Sequence, residues 1–242
     1  MRTIYSIILF IGTLSGCTKK AETIALTHTD TTRTATMPAA TDSLTYLALG
    51  DSYTIGQSVP LAQSFPFQLT AQLKADTINV KTPKIIATTG WTTDQLIDAI
   101  NRSDINGKKY DFVTLLIGVN DQFGGYSQAN YRIKFVQVLN TAIAFANGNK
   151  KRVFVVSIPD YGVTPFAGGN DAVIGPQIDQ FNAINKDEST KAGVHYVEIT
   201  DISRTAATDP TLIANDGLHP SGAMYALWIK RLAPAVAASL KK

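Results

Sequence analysis

A serine hydroxyl attacks a carbonyl carbon only when a base takes its proton as the bond forms, and histidine is the usual base because its pKa lies near neutrality. Ser52 lies in "YLALGDSYTIGQS" (46–58), directly after an apolar run that reads as a strand. Two roles are open to it there: capping the helix that follows, or acting as a nucleophile at the carboxyl edge of a sheet. The chain holds three histidines. His28 falls in a Thr- and Ala-rich stretch, and His195 sits within the strand-like "VHYVEI" (194–199), where packing or a surface hydrogen bond satisfies it. His219, in "NDGLHPSG" (215–222), stands between a Gly-containing loop and the final helix and is the best placed base. Asp216, three residues earlier, is close enough in a turn to bond the imidazole and fix its tautomer. Asp216–Gly217 also reads as plain turn chemistry, and Pro220 as a helix start.

Attack on an ester carbonyl creates an oxyanion, which needs donors already in place. The backbone N–H groups of Ser52 and Gly90 and the side-chain amide of Asn120 are candidates. Gly90 equally permits a tight strand-to-helix turn, and Asn120–Asp121 equally caps or turns the chain. Trp91, Tyr161 and Phe166 are candidate substrate-lining residues, the last two from the Gly- and Pro-containing stretch "PDYGVTPFAGGN" (159–170). A supporting role for that loop, and a covering role over the sheet edge for Trp91, compete with this reading. Asp51, Asp121, Asp216 and His219 carry metal-ligand chemistry, but no HExxH pattern occurs, so no metal or other cofactor is expected.

These residues need a frame. From Leu44 onward short apolar segments alternate with helical patterns: "LTYLALG" (44–50), a helix over 64–76, "KIIATTG" (84–90), a helix over 92–103, and "FVTLLIGVN" (112–120). A long helix over 127–147, "RVFVVSIP" (152–159), a helix over 176–193, "VHYVEI", and a terminal helix from near Ser221 complete the series. Such alternation predicts an α/β domain with a parallel sheet and helices on both faces. Ligands of such sheets bind beyond the carboxyl ends of the strands, which gives Ser52, Gly90 and Asn120 a common address.

With 242 residues, 45% of them hydrophobic, the chain can bury one core of ordinary size. Its net charge of +3 is dispersed, which argues against a nucleic-acid surface. The N-terminus "MRTIYSIILFIGTLSGCTKK" carries Arg2, an apolar run too short for a permanent span, and then small residues and Cys17, the one cysteine. Leu14–Ser15–Gly16–Cys17 resembles a bacterial lipobox. We therefore expect a lipoprotein signal peptide over 1–16, a lipidated Cys17 opening a flexible tether over 17–42, and a domain over 43–242. The expected location is the bacterial cell envelope, lipid-anchored to a membrane and extracytoplasmic, with the tether giving a reach of about 25 to 30 Å. A lone cysteine allows no intramolecular disulfide and no Cys-based metal site.

Taken together, Gly50–Asp51–Ser52, Gly90 in "ATTGWTTDQL", Gly118–Val119–Asn120–Asp121 and Asp216–Gly217–Leu218–His219–Pro220 resemble the four blocks of the SGNH, or GDSL-type, hydrolases. The resemblance runs from about Leu44 to the last helix. It implies a flavodoxin-like single domain that hydrolyses esters or thioesters without metal. Ser52 would be the nucleophile, His219 the base and then acid, and Asp216 the orienting carboxylate. The backbone N–H groups of Ser52 and Gly90, with the Asn120 side chain, would form the oxyanion hole. The implied partners are small-molecule, glycan or lipid esters, such as small-acyl, carbohydrate or lysophospholipid esters. Acyl transfer to another alcohol, and a non-catalytic surface lipoprotein binding a glycan or lipid in the cleft, are the competing readings.

Overall fold

The computed structural model describes residues 43–241. The expected signal peptide, Cys17, the tether and His28 lie outside the described residues. The apolar runs form five parallel strands: β1 (Tyr46–Gly50), β2 (Lys84–Ala87), β3 (Phe112–Leu116), β4 (Val153–Val156) and β5 (His195–Val197). Every residue of β1, β3 and β4 is buried, as their continuous apolar character requires of strands covered on both faces. The edge strands β2 and β5 are only partly buried.

The sheet order is β2-β1-β3-β4-β5. The chain leaves β1 toward one edge and returns to β3 on the other side, so a crevice opens between the carboxyl ends of β1 and β3. Gly50 is level with both Ala87 of β2 and Leu116 of β3, which brings three strand ends to one rim. Helices α2 (Phe65–Ala75) and α8 (Gly222–Leu240) pack together, while α5 (Gln128–Phe145) packs between α3 (Thr93–Arg102) and α6 (Asp171–Ala192). In α5 the buried side chains Tyr131, Phe135, Val138, Leu139, Ala142 and Phe145 recur at helical spacing and form the stripe that meets the sheet. The result is the expected single domain, a parallel sheet flanked by helices on both faces.

Three short helices depart from expectation: α1 (Ser52–Ile55), α4 (Val119–Phe123) and α7 (Thr200–Arg204). Each follows closely on a strand and is too short for an apolar period to register. The second predicted strand stops at Ala87, so residues 88–90 leave the sheet and become part of the rim. Helix α6 starts at Asp171, ahead of the predicted Pro176, which lies inside it. A proline so near the amino end removes one early backbone bond, to the carbonyl of Ala172, and the helix tolerates it.

Candidate active site

Asp51 decides what Ser52 is free to do. The Asp51 carboxyl oxygen accepts the N–H of Tyr53 at 3.0 Å and caps α1, so Ser52 is the first helical residue and does not serve as the cap. Ser52 is 4% exposed. Its helix is anchored from behind by the Tyr225 hydroxyl of α8, which donates to the Tyr53 carbonyl at 2.9 Å. A Cβ on Gly50 would lie 2.1 Å from Thr54 Oγ1 and 2.3 Å from the Leu116 carbonyl, so glycine is what lets the β1 end sit this close to its neighbours. Burial, reinforced by the charge of Asp121 and opposed by the Tyr53 N–H, pushes the Asp51 carboxyl up to about 8.

The second and third segments are tied together by Asp121. Gly90 turns the chain at φ +82, a conformation that favours glycine, and its N–H has no backbone partner among the described residues. Two residues past Trp91, the N–H and hydroxyl of Thr93 both donate to the Asp121 carboxylate, at 3.0 and 2.5 Å. Asp121 therefore reaches across from α4 to the amino end of α3. Burial raises its pKa, and the Thr93 bonds oppose that shift. Asn120 donates one amide hydrogen to the Trp91 carbonyl at 2.9 Å. That bond fixes the amide plane and leaves its second hydrogen for the cleft.

The acid–base pair comes from a loop. The N–H of Ala214 donates to the His219 carbonyl at 2.8 Å and Gly217 turns at φ +73, which folds residues 214–219 into a compact turn. Inside it the His219 Nδ1 and Asp216 Oδ2 are 2.6 Å apart. Asp216 Oδ1 accepts the N–H groups of Leu218 and His219, both at 3.0 Å, and Oδ2 also accepts the Ser58 hydroxyl at 2.6 Å. Partial burial works against ionisation, but the bonds from Ser58, His219 and Leu218 outweigh it and hold Asp216 well below the usual carboxylate range. His219 is 6% exposed, and its ring packs on that of Tyr53 at a centroid distance of 5.4 Å. Ser52 Oγ and His219 face one cleft without a hydrogen bond joining them. His195 is elsewhere, in β5, stacked on Phe154 at 4.7 Å.

Ser52, Tyr53, Gly90, Asn120 and His219 line this cleft, whose volume is about 130 Å³. Tyr161 and Phe166 line it too, as the sequence suggests, and they meet Phe123 of α4 with all three ring centroids 6.2 to 6.3 Å apart. Phe123 and Phe166 remain 63% and 53% exposed, unusual for large apolar residues. Phe123, three positions after Asn120, becomes recognisable only once α4 is seen to be helical. Of the two roles open to Trp91, the structure shows the packing one: it is absent from the lining and packs, partly buried, against the core. Among the described residues no three His, Cys, Asp or Glu side chains gather as a metal-ligand set. Asp51 and Asp121 are already committed to capping α1 and holding α3.

The sheet order defines a doubly wound α/β protein, with a serine and a carboxylate-bound imidazole gathered at its switch point. The chain belongs to the GDSL-like lipase/acylhydrolase family, whose model matches residues 48–227. Its fold is similar to that of the psychrotrophic esterase EstA from Pseudoalteromonas sp., at a TM-score of 0.62 and 16% identity over 83% of this chain and 100% of that one. An acetyl xylan esterase from Geobacillus stearothermophilus (0.58, 17%, 80% and 94%) and phospholipase A1 from Streptomyces albidoflavus (0.59, 20%, 81% and 99%) are similar in the same way. No curated protein matches the sequence. These neighbours carry different names for what they act on, so the shared fold leaves the substrate to the cleft.

Proposed function

We propose that this hydrolase cleaves carboxylic esters through an acyl-enzyme on Ser52. The observation that carries the reading is the meeting of Ser52, Gly90, Asn120 and His219 in one cleft, with Asp216 bonded to the far side of the imidazole. Ser52 Oγ adds to the ester carbonyl carbon as its proton passes to His219 Nε2. The N–H groups of Ser52 and Gly90 and the Asn120 amide receive the oxyanion. The carbon–oxygen bond to the alcohol then breaks as His219 returns the proton to the leaving oxygen. Water adds to the acyl-enzyme by the same route, restoring the serine and releasing the acid. Asp216 remains ionised throughout and holds the imidazole in the required tautomer.

The lining supports a neutral substrate with a small apolar group. Among the described residues it contains no Lys, Arg, Asp or Glu, and its most exposed walls are Phe123 and Phe166. A cavity of about 150 Å³ lined by apolar side chains is known to take one benzene ring, close to the size found here. Short-acyl or single-ring esters therefore fit this space better than long acyl chains. The proposal includes the location expected from sequence: an extracytoplasmic enzyme anchored by lipid on Cys17, so that Cys17→Ala shifts the protein from the membrane to the soluble fraction. If both forms fractionate alike, the anchor is wrong.

The test of catalysis is hydrolysis of p-nitrophenyl esters from acetyl to long acyl by the full-length chain, Ser52→Ala and His219→Ala. Turnover should be greatest on short esters and fall by about 10⁴-fold or more in either variant. Wild-type rates no higher than those of the variants on every ester would overturn the esterase reading, and rates rising with chain length would overturn the substrate class.

A further inference from the structure

Segment 56–58, between α1 and α2, touches both loops that complete the cleft. Gly56 turns the chain back at φ +75. The side chain of Gln57 then accepts the Thr89 hydroxyl at 2.7 Å, beside Gly90, and the next residue, Ser58, donates to Asp216 Oδ2 at 2.6 Å. Ser58 is itself at φ +66, where a residue with a Cβ is strained unless its surroundings hold it. A glycine would be the relaxed choice for such a backbone, so the hydroxyl is what a glycine could not supply.

We propose that Ser58 is a positioning residue for the acid–base pair, a role that rests on the esterase reading above. A carboxylate has about four lone-pair sites. In Asp216 two of them, on Oδ1, accept backbone N–H groups from its own turn, and the other two, on Oδ2, accept His219 Nδ1 and Ser58. The turn fixes one end of the carboxylate. Ser58, from a segment 158 residues away, fixes the other and sets the rotation that aims Oδ2 at the imidazole.

Ser58→Ala and Ser58→Gly in the full-length chain separate the hydroxyl from the backbone. Both remove the donor, but only glycine relieves the strain, so Ser58→Gly should melt at or above the wild-type temperature. In both variants kcat on p-nitrophenyl acetate should fall about tenfold at unchanged KM. The downfield proton resonance of His219 Nδ1–H, assigned by its loss in His219→Ala, should move upfield in both as Oδ2 is freed to rotate. A glycine variant that keeps wild-type kcat overturns the proposal, because the turn alone would then be what matters. A resonance that stays in place or moves downfield in either variant overturns it too. Should the wild-type chain turn over no ester, the esterase reading fails on its own, while the resonance still decides whether Ser58 holds Asp216 against His219.

Discussion

The cleft has two halves built by different means. Ser52 and Asn120 stand on short helices that spring from the ends of β1 and β3, strands buried along their whole length, so their positions follow from the packing of the sheet. His219, Asp216, Tyr161 and Phe166 stand on loops. These are held by side-chain and backbone bonds: Asp216 within its own turn, the Phe166 N–H on the Gly217 carbonyl at 3.0 Å, and Asp160 beneath Tyr161. The buried Asp160 accepts the N–H of Gly162 and Arg204 Nε, at 2.8 and 2.9 Å, and so ties the aromatic loop to α7. Ser52 and Asn120, assigned to bond making and oxyanion binding, are thus set by the core, whereas Gly90 and the groups that move protons and meet the substrate are set by turns and local bonds. Loops of this kind can vary while the sheet stays the same.

Three substitutions probe that division. Asn120→Ala removes an oxyanion donor from the strand-borne half, and kcat should fall about 10²- to 10³-fold with KM little changed. A change confined to KM would move Asn120 from the oxyanion to substrate binding. In the loop-borne half, Arg204→Ala leaves the Asp160 carboxylate buried with one fewer donor. Since Arg204 is itself partly exposed, we expect a loss of roughly 1 to 3 kcal/mol by denaturant unfolding. KM should rise more than kcat falls as Tyr161 and Phe166 loosen, and an equal loss in both halves would erase the distinction. A third effect, spread over several pH units, concerns Asp51. Its carboxyl ionises near 3.8 in the ordinary state and about 8 in the fold, so between those values the folded chain keeps a proton that the unfolded chain has released. Stability therefore falls as pH rises through that window, by up to about a factor of ten in the folding equilibrium per unit, and levels off above it. Asp51→Asn can still cap Tyr53 and should flatten the slope in urea midpoints measured from pH 4 to 8. An unchanged slope would show that the Asp51 carboxyl beside Ser52 is not buried as tightly as the packing implies.

The strand-borne half was the more legible in sequence. Continuous apolar runs that end in Gly50–Asp51–Ser52 and Gly118–Val119–Asn120 place their polar residues at strand ends before any coordinates are known, and the alternation of elements brings those ends to one rim. Asp216 and His219 were legible for a different reason: three residues apart in a turn, they are neighbours in any fold. The same local logic left Trp91 between lining and covering, since adjacency to Gly90 says nothing of which way the side chain goes once the chain turns at positive φ.

Composition and pattern by themselves pointed to the class of fold and to polar residues at the strand ends, because burial and backbone geometry act over a few residues at a time. Only the tertiary structure decided that Asp51, and not Ser52, caps the helix, that Asp121 reaches Thr93, that Phe123 joins Tyr161 and Phe166, and that Ser58 meets Asp216. Each of those facts is a contact between segments distant along the chain or a choice between adjacent side chains competing for one backbone donor. Such outcomes depend on a few tenths of an ångström in packing, which no local pattern of residues encodes.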